Sequence, residues 1–201
     1  MDETTSANVT SSRAQSRVSR ILGEGWEILK VFFISLAVVV PIRMFVAQPF
    51  IVSGASMEPN FYNREYLIVD ELSYYFRNPQ RGDPIIFHYP KDPRQFFIKR
   101  VIGLPGETIE LRNGKVLIFH AVHSDGLILS EPYLPPTHET GPNMKVTLGP
   151  AEYFVLGDNR SHSSDSRTWG ELERQLIVGR ALLRAWPPGR FGIVTQNPLP
   201  F

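Results

Sequence analysis

Thr108-Ile109-Glu110-Leu111-Arg112-Asn113-Gly114-Lys115-Val116-Leu117-Ile118-Phe119 is the stretch that decides the fold. Two strand-like runs flank Asn113-Gly114, a pair suited to a type I′ turn because both central residues there need positive φ. The sequence therefore predicts an antiparallel hairpin, Thr108–Arg112 against Lys115–Phe119. Working outward, runs rich in β-branched and aromatic residues predict strands at Glu65–Asp70, Pro84–Tyr89, Phe96–Leu104, Lys145–Leu148, Glu152–Leu156 and Leu176–Trp186. Turn signals separate them, as at Arg81-Gly82-Asp83-Pro84, Leu104-Pro105-Gly106 and Pro187-Pro188-Gly189. Residues 121–149 are irregular and proline-rich and read as a small excursion from the main sheet. The expected class is mainly β, with antiparallel sheets in a partly closed, barrel-like domain.

Composition narrows the rest. The chain has 201 residues, enough for one domain with an appendage. An apolar share of 42% and a charged share of 20% are ordinary for a globular protein. A formal charge of +1 gives no general electrostatic case for nucleic acid, so none is expected as a partner. The absence of cysteine excludes disulfides, Cys-based zinc sites and a thiol nucleophile.

Residues 1–25 open Ser/Thr-rich with little to bury, and are expected to be a disordered tail. Composition then changes. Val31–Ile42 is a twelve-residue run without charge, and Ile28–Ala47 is a twenty-residue window holding only Lys30 and Arg43. A span needs roughly 20 residues, and long basic side chains near its ends can reach the interface. Trp26 suits a headgroup position, and Pro41 would kink the helix late. A core helix would show a single apolar stripe, whereas this run is apolar all round. A cleavable leader ending at Ala47 would put Phe45 at −3, a poor fit to the small residue needed there. One uncleaved transmembrane helix over 26–47 is therefore expected, with an interfacial helix as the other option. Arg13, Arg17 and Arg20 precede it, Lys30 lies at its start, and no basic residue follows Arg43 before Arg64. The N-terminus should then be cytoplasmic and residues 48–201 outside.

Three places carry candidate chemistry. In Phe96-Phe97-Ile98-Lys99-Arg100-Val101, alternation puts Lys99 on one face with Phe97 and Val101. Such a lysine either snorkels at an edge or is buried with a lowered pKa, and a neutral amine is a competent base. Arg100, on the other face, reads as an ion-pair partner. Ser56 sits in Ser53-Gly54-Ala55-Ser56-Met57-Glu58-Pro59, either a turn serine or a nucleophile. The third is Gly157-Asp158-Asn159-Arg160-Ser161-His162-Ser163-Ser164-Asp165-Ser166-Arg167. Its spacing does not fit an EF-hand loop, and its two arginines would compete with a cation bound by Asp158, Asn159 and Asp165. A self-satisfied Asp/Arg network is the better physical reading. Of five histidines only His162 lies in a motif-like setting, among residues typical of a surface loop, which disfavours a His-based triad.

SGASMEP, FFIKRVIGLPGE and GDNRSHSSDSR, in that order behind an apolar segment, resemble the motifs of type I signal peptidases, the membrane-bound serine–lysine peptidases. Arg43-Met44-Phe45, Gln48-Pro49-Phe50 and Glu131-Pro132-Tyr133-Leu134 are also similar to family segments, so the resemblance covers about residues 26–186. It implies Ser56 as nucleophile, Lys99 as general base and Ser163 as the residue orienting that lysine. Asp158, Arg160, Asp165, Ser166 and Arg167 would brace the site. Phe50, Val52, Met57, Phe97 and Ile98 would line shallow pockets for small side chains at −1 and −3. Some members place a serine two residues before the nucleophile; here Gly54 stands there, so the oxyanion hole would rest on backbone N–H, chiefly that of Ser56. Asn60 and Phe61 also depart from the family's usual residues. The resemblance implies no cofactor and no metal. It implies signal peptides of preproteins as substrates, the bilayer and a nearby export translocon as partners, and a bacterial plasma membrane as location. A processing peptidase with another dedicated substrate, and a silent membrane-tethered domain that binds peptides, are the rival readings. A self-cleaving repressor would need a helix-turn-helix, for which residues 1–25 have no room.

Overall fold

The computed structural model describes residues 26–39, 48–120 and 123–194. The expected tail over 1–25 and the end of the expected span, residues 40–47, lie outside these. The chain divides into two units, residues 1–44 and 45–201. In the first, residues 26–39 form helix α1, about 21 Å long at 1.5 Å per residue. No helix among the described residues is long and apolar enough to cross a membrane.

The second unit is mainly β, with few and short helices. Its strands are β1 (Gln48–Ile51), β2 (Tyr66–Asp70), β3 (Pro84–Tyr89), β4 (Asp92–Gly103), β5 (Thr108–Arg112) and β6 (Lys115–His120). There follow β7 (His123–Ile128), β8 (Met144–Thr147), β9 (Glu152–Leu156), β10 (Leu172–Glu173), β11 (Ile177–Trp186) and β12 (Gly192–Ile193). Helices α2 (Ser73–Phe76) and α3 (Ser166–Trp169) are single turns. One sheet runs β1-β2-β11-β3-β4-β9-β10, with β12 on β11; the other runs β7-β6-β5-β8. Adjacent strands in both sheets pair antiparallel. The larger sheet is open, its paired path ending at β1 and at β10, so no closed barrel is found among the described residues.

The hairpin at 108–119 forms in the predicted register, Thr108 opposite Phe119 and Arg112 opposite Lys115. Asn113 (φ 51°) and Gly114 (φ 76°) are both left-handed, as a type I′ turn requires. β5 alternates buried and partly exposed residues because one face is covered. In β3 and β9 both faces are covered: Ile86 joins one apolar cluster while Ile85 and Phe87 join another, and Phe154 and Leu156 face away from Tyr153 and Val155. That is why PIIF and YFVL read as unbroken apolar runs.

Three clusters make the core. One joins Ile102, Phe154 and Leu156 of the large sheet to Ile109, Leu111, Val116 and Ile118, fastening the second sheet to the ends of β4 and β9. Another packs Val52, Met57 and Phe61 on Leu67, Val69, Ile86, Ile98 and Ala181, beneath the turn that carries Ser56. The third holds Tyr74, Ile85, Phe87, Val101, Tyr153 and Val155. The excursion expected over 121–149 supplies β7 and β8, the outer strands of the second sheet. β8 overlaps the strand expected at Lys145–Leu148, whereas β7, His123–Ile128, opens on polar residues and carries no alternation that marks it. β1, β10 and β12 were also illegible, being two to four residues long.

Close approach between strands leaves no room at Gly179. A Cβ there would lie 2.7 Å from the Asp70 carbonyl oxygen and from Val69 Cγ1. Gly179→Ala should lower stability by about 1–3 kcal/mol, seen as a lower urea midpoint with an unchanged m-value.

Candidate active site

Ser56 lies in a loop between β1 and β2, and Lys99 lies in β4 opposite Ile85 of β3. The Lys99 Nζ donates to Ser56 Oγ at 2.7 Å and to the Ile98 carbonyl at 2.9 Å. Only 4% of Lys99 is exposed. Burial pushes its pKa down to about 8, against the opposing pull of the Asp165 and Asp158 carboxylates. Of the two readings of this lysine, the buried one is therefore observed. Its amine also stands 5.3 Å from the Phe97 ring.

The Ser56 turn is held from two sides. Gly54 has φ 86°, a conformation that favours glycine, and its N–H donates to Asn63 Oδ1 at 3.1 Å. From the other side, Asn159 N–H donates to the Ser56 carbonyl at 3.0 Å and Asn159 Nδ2 to the Ala55 carbonyl at 3.1 Å. The Ser56 N–H itself has no acceptor among the described residues. Gly54 thus contributes a conformation rather than a free donor, and Ser56 retains the available N–H.

The loop at 157–167 closes its charges as expected, though partly through partners elsewhere. Arg167 grips Asp165 with two bonds of 2.8 Å, and Gly157 N–H donates to the same carboxylate at 3.0 Å. Burial pushes the Asp165 pKa up, but these bonds more than offset it and hold the carboxyl below its ordinary range. Asp158 receives Arg100 at 2.8 and 2.6 Å and Asn60 Nδ2 at 2.9 Å. Arg160 binds Glu131, Thr140 and the Gly157 carbonyl. Ser166 Oγ accepts from Val155 N–H at 3.0 Å, tying α3 to β9. Arg100 additionally stacks over Tyr133 at 4.1 Å.

Lys99 Nζ makes its hydrogen bonds to Ser56 and Ile98, not to Ser163, whose Oγ is buried with no hydrogen-bond partner among the described residues. Ser163 is pressed against Gly157, where a Cβ would come within 2.2 Å of Ser163 Oγ and 2.5 Å of the Ser56 carbonyl oxygen. His162 is exposed, its Nδ1 3.0 Å from Ser161 Oγ.

A cleft of about 310 Å³ opens over Ser56 and Lys99. Phe50, Val52, Phe97 and Ile98 line it, together with Leu67, Ile86, Gln95, Phe96 and Ser164. Met57 does not line it; that side chain is 1% exposed and sits in the apolar cluster below. A nucleophile beside a desolvated amine can carry out acyl transfer with no metal or histidine.

The profile of the signal peptidase, peptidase S26, family matches residues 25–186 of this chain. The chain belongs to that family. It is 42% identical to signal peptidase I of Leptolyngbya laminosa over 92% of this chain and 90% of that protein. It is 39% identical to probable signal peptidase I-1 of Synechocystis sp. over 83% of this chain and 87% of that protein. With signal peptidase I of Bacillus caldolyticus it shares 36% identity over 80% of this chain and 91% of the relative. Family membership makes the chain a serine endopeptidase.

Asn63 and Asn159, which fix the loop around Ser56, were not legible as site residues. Asn63 has no distinguishing context; Asn159 stands in the GDNRSHSSDSR motif, but only the fold brings it beside 55 and 56. Tyr133 and Glu131 lay in a segment that resembled the family without any stated role.

The Arg100–Asp158 pair is almost fully buried. Asp158→Ala would strand the guanidinium and should cost about 3–5 kcal/mol, whereas Arg100→Met with Asp158→Ala should recover part of it. Chemical denaturation of the two single variants and the double variant checks this.

Proposed function

We propose that this chain removes N-terminal signal peptides from exported preproteins, cutting after small residues at −3 and −1. Ser56 is the nucleophile and Lys99 its general base. The observation that carries the reading is the 2.7 Å contact between Lys99 Nζ and Ser56 Oγ inside a cleft that keeps the amine 4% exposed.

In this mechanism the neutral Lys99 amine takes the proton from Ser56 Oγ as the oxygen attacks the scissile carbonyl. The Ser56 N–H donates to the resulting oxyanion. Collapse of the tetrahedral intermediate breaks the peptide bond, and the Lys99 ammonium returns its proton to the leaving amine. The mature protein departs with a new N-terminus. Lys99, neutral again, then activates a water that hydrolyses the Ser56 ester and frees the signal peptide. Phe50, Val52, Phe97 and Ile98 supply the walls that accept small side chains, with Met57 supporting them from beneath. Asp158, Arg160, Asp165, Ser166 and Arg167 brace the two reacting residues, and Ser163, whose buried hydroxyl has no other partner among the described residues, orients the lysine.

The organisation proposed is a tail over 1–25, a single membrane span over 26–47 and a catalytic domain over 48–201, with the N-terminus cytoplasmic. The apolar window 28–47 supports the span, and the arginines before it support the orientation. A partly closed, barrel-like catalytic domain belongs to the same reading, supported by the cluster below Ser56, which draws on β2, β3, β4 and β11 together. The bilayer of a bacterial plasma membrane and a neighbouring export translocon are the proposed surroundings. A substrate still anchored in that bilayer meets a tethered enzyme at raised effective concentration.

Wild-type enzyme in detergent, given a preprotein with an A-x-A site, should release a mature chain whose N-terminus begins just after that site, read by mass spectrometry. Ser56→Ala and Lys99→Ala should each lose more than about 100-fold in rate. A cut that survives Lys99→Ala would assign the base elsewhere.

The pH profile follows from the lysine. Below pH 8 the amine is protonated and cannot act as base, so kcat/KM should rise through an apparent pKa of about 8 and then level. Stability should rise over the same direction. The unfolded lysine keeps its proton up to about 10.4 while the folded one has released it. Lys99→Met should remove both dependences.

A further inference from the structure

The Ala55 carbonyl and the Ser56 N–H belong to one planar peptide and point in opposite directions. Whatever holds the carbonyl therefore aims the N–H. We infer that Asn159 is a positioning residue for the oxyanion donor: its side chain fixes the 55–56 peptide so that the Ser56 N–H faces the cleft. This rests on the function proposed above.

The contacts form a short chain. Asn159 Nδ2 donates to the Ala55 carbonyl at 3.1 Å, and Asn159 N–H to the Ser56 carbonyl at 3.0 Å. One residue thus holds both carbonyls that bracket the nucleophile. The amide orientation is set from its far end, where Ser161 Oγ donates to Asn159 Oδ1 at 3.3 Å. The turn's own bond, Glu58 N–H to the Ala55 carbonyl, is longer at 3.2 Å. Close packing at Gly157 presses the loop against the Ser56 carbonyl, so Asn159 cannot retreat without the whole loop.

The alternative donor is already spent. Gly54 N–H is bonded to Asn63, and Gly54 has no side chain to offer. Transition-state charge therefore falls on the single N–H of Ser56, and its direction matters more than in a site with two donors. Asn159 touches neither substrate nor the reacting atoms. Its effect should appear in the chemical step and not in ground-state binding.

The test uses the full chain in detergent with a preprotein substrate, beside two probes. One is a peptide aldehyde, which forms a hemiacetal oxyanion on Ser56. The other is a non-cleavable peptide of the same sequence, which does not. Asn159→Ala and Asn159→Asp both lose the donor to Ala55, the second with little change in volume. Each should lower kcat about tenfold or more with KM within about twofold. Aldehyde affinity should fall in parallel, affinity for the unreactive peptide should hold, and thermal midpoints should stay close to wild type. Full kcat in both variants overturns the role, as does equal loss of affinity for both probes. Activity of Asn159→Ala restored by raising pH also overturns it, because Asn159 would then act through Lys99; in Asn159→Asp the added carboxylate itself shifts the lysine, so only its rate at the pH plateau is read. These outcomes apply where wild type cuts through Ser56 and Lys99; a wild type that does not cut removes the proposed function and the inference with it.

Discussion

The Lys99 amine lies 2.7 Å from the Ser56 hydroxyl with almost no access to water. An ammonium in that place forfeits most of its hydration, and neutral amine is favoured instead. Desolvation is the constraint the surrounding structure exists to maintain. Lys99 reaches its position from the buried half of β4, whose last six residues are buried while the first half projects as a partly exposed arm. β3 covers one side of that half and β9 the other. The apolar cluster under Ser56 closes the floor. A lysine on an edge strand would have kept its charge.

A second requirement is that the serine arrive from elsewhere in the chain. Ser56 is forty-three residues before Lys99 and belongs to a loop with no regular structure of its own. Backbone without a ladder must be satisfied by other means. Here Asn63 bonds the loop at Gly54, and Asn159 bonds it at Ala55 and Ser56. Met57 and Phe61 anchor its far side in the core, at 1% and 2% exposure. The loop is therefore as well determined as the strands it joins, which suits a reactive group placed on it.

How much of this could be read beforehand depended on range. The hairpin at 108–119 was legible because a two-residue turn and its flanking strands interact locally. Lys99 was legible as unusual because strand alternation is local too, placing a charge on an apolar face. Met57 was read as cleft lining, whereas its side chain points into the cluster below; position next to the nucleophile does not reveal which way a loop residue turns. Ser163 is assigned to the lysine by resemblance alone; nothing in its local sequence shows that its hydroxyl is buried against Gly157. Neither Asn63 nor Asn159 was assigned to the site. Their contacts span 9 and 104 residues; Asn63 has no motif around it, and the motif around Asn159 does not show that it reaches the Ser56 loop.

The density of arginine near the site has a physical reason that the Lys99 amine supplies. Asp165 and Asp158 both pull the lysine pKa upward, against the effect of burial. Bare carboxylates at those positions would favour the ammonium and undo what desolvation achieves. Each is instead gripped by a guanidinium, Asp165 by Arg167 and Asp158 by Arg100. Each pair presents little net charge to the amine, so the lysine feels a smaller field than two free acids would impose. The acids still hold the loop through Gly157 N–H and Asn60 Nδ2. The loop can thus use carboxylates as rigid acceptors without recharging the lysine. That balance, more than any single ion pair, accounts for aspartates and arginines standing in pairs around a residue whose use depends on being neutral.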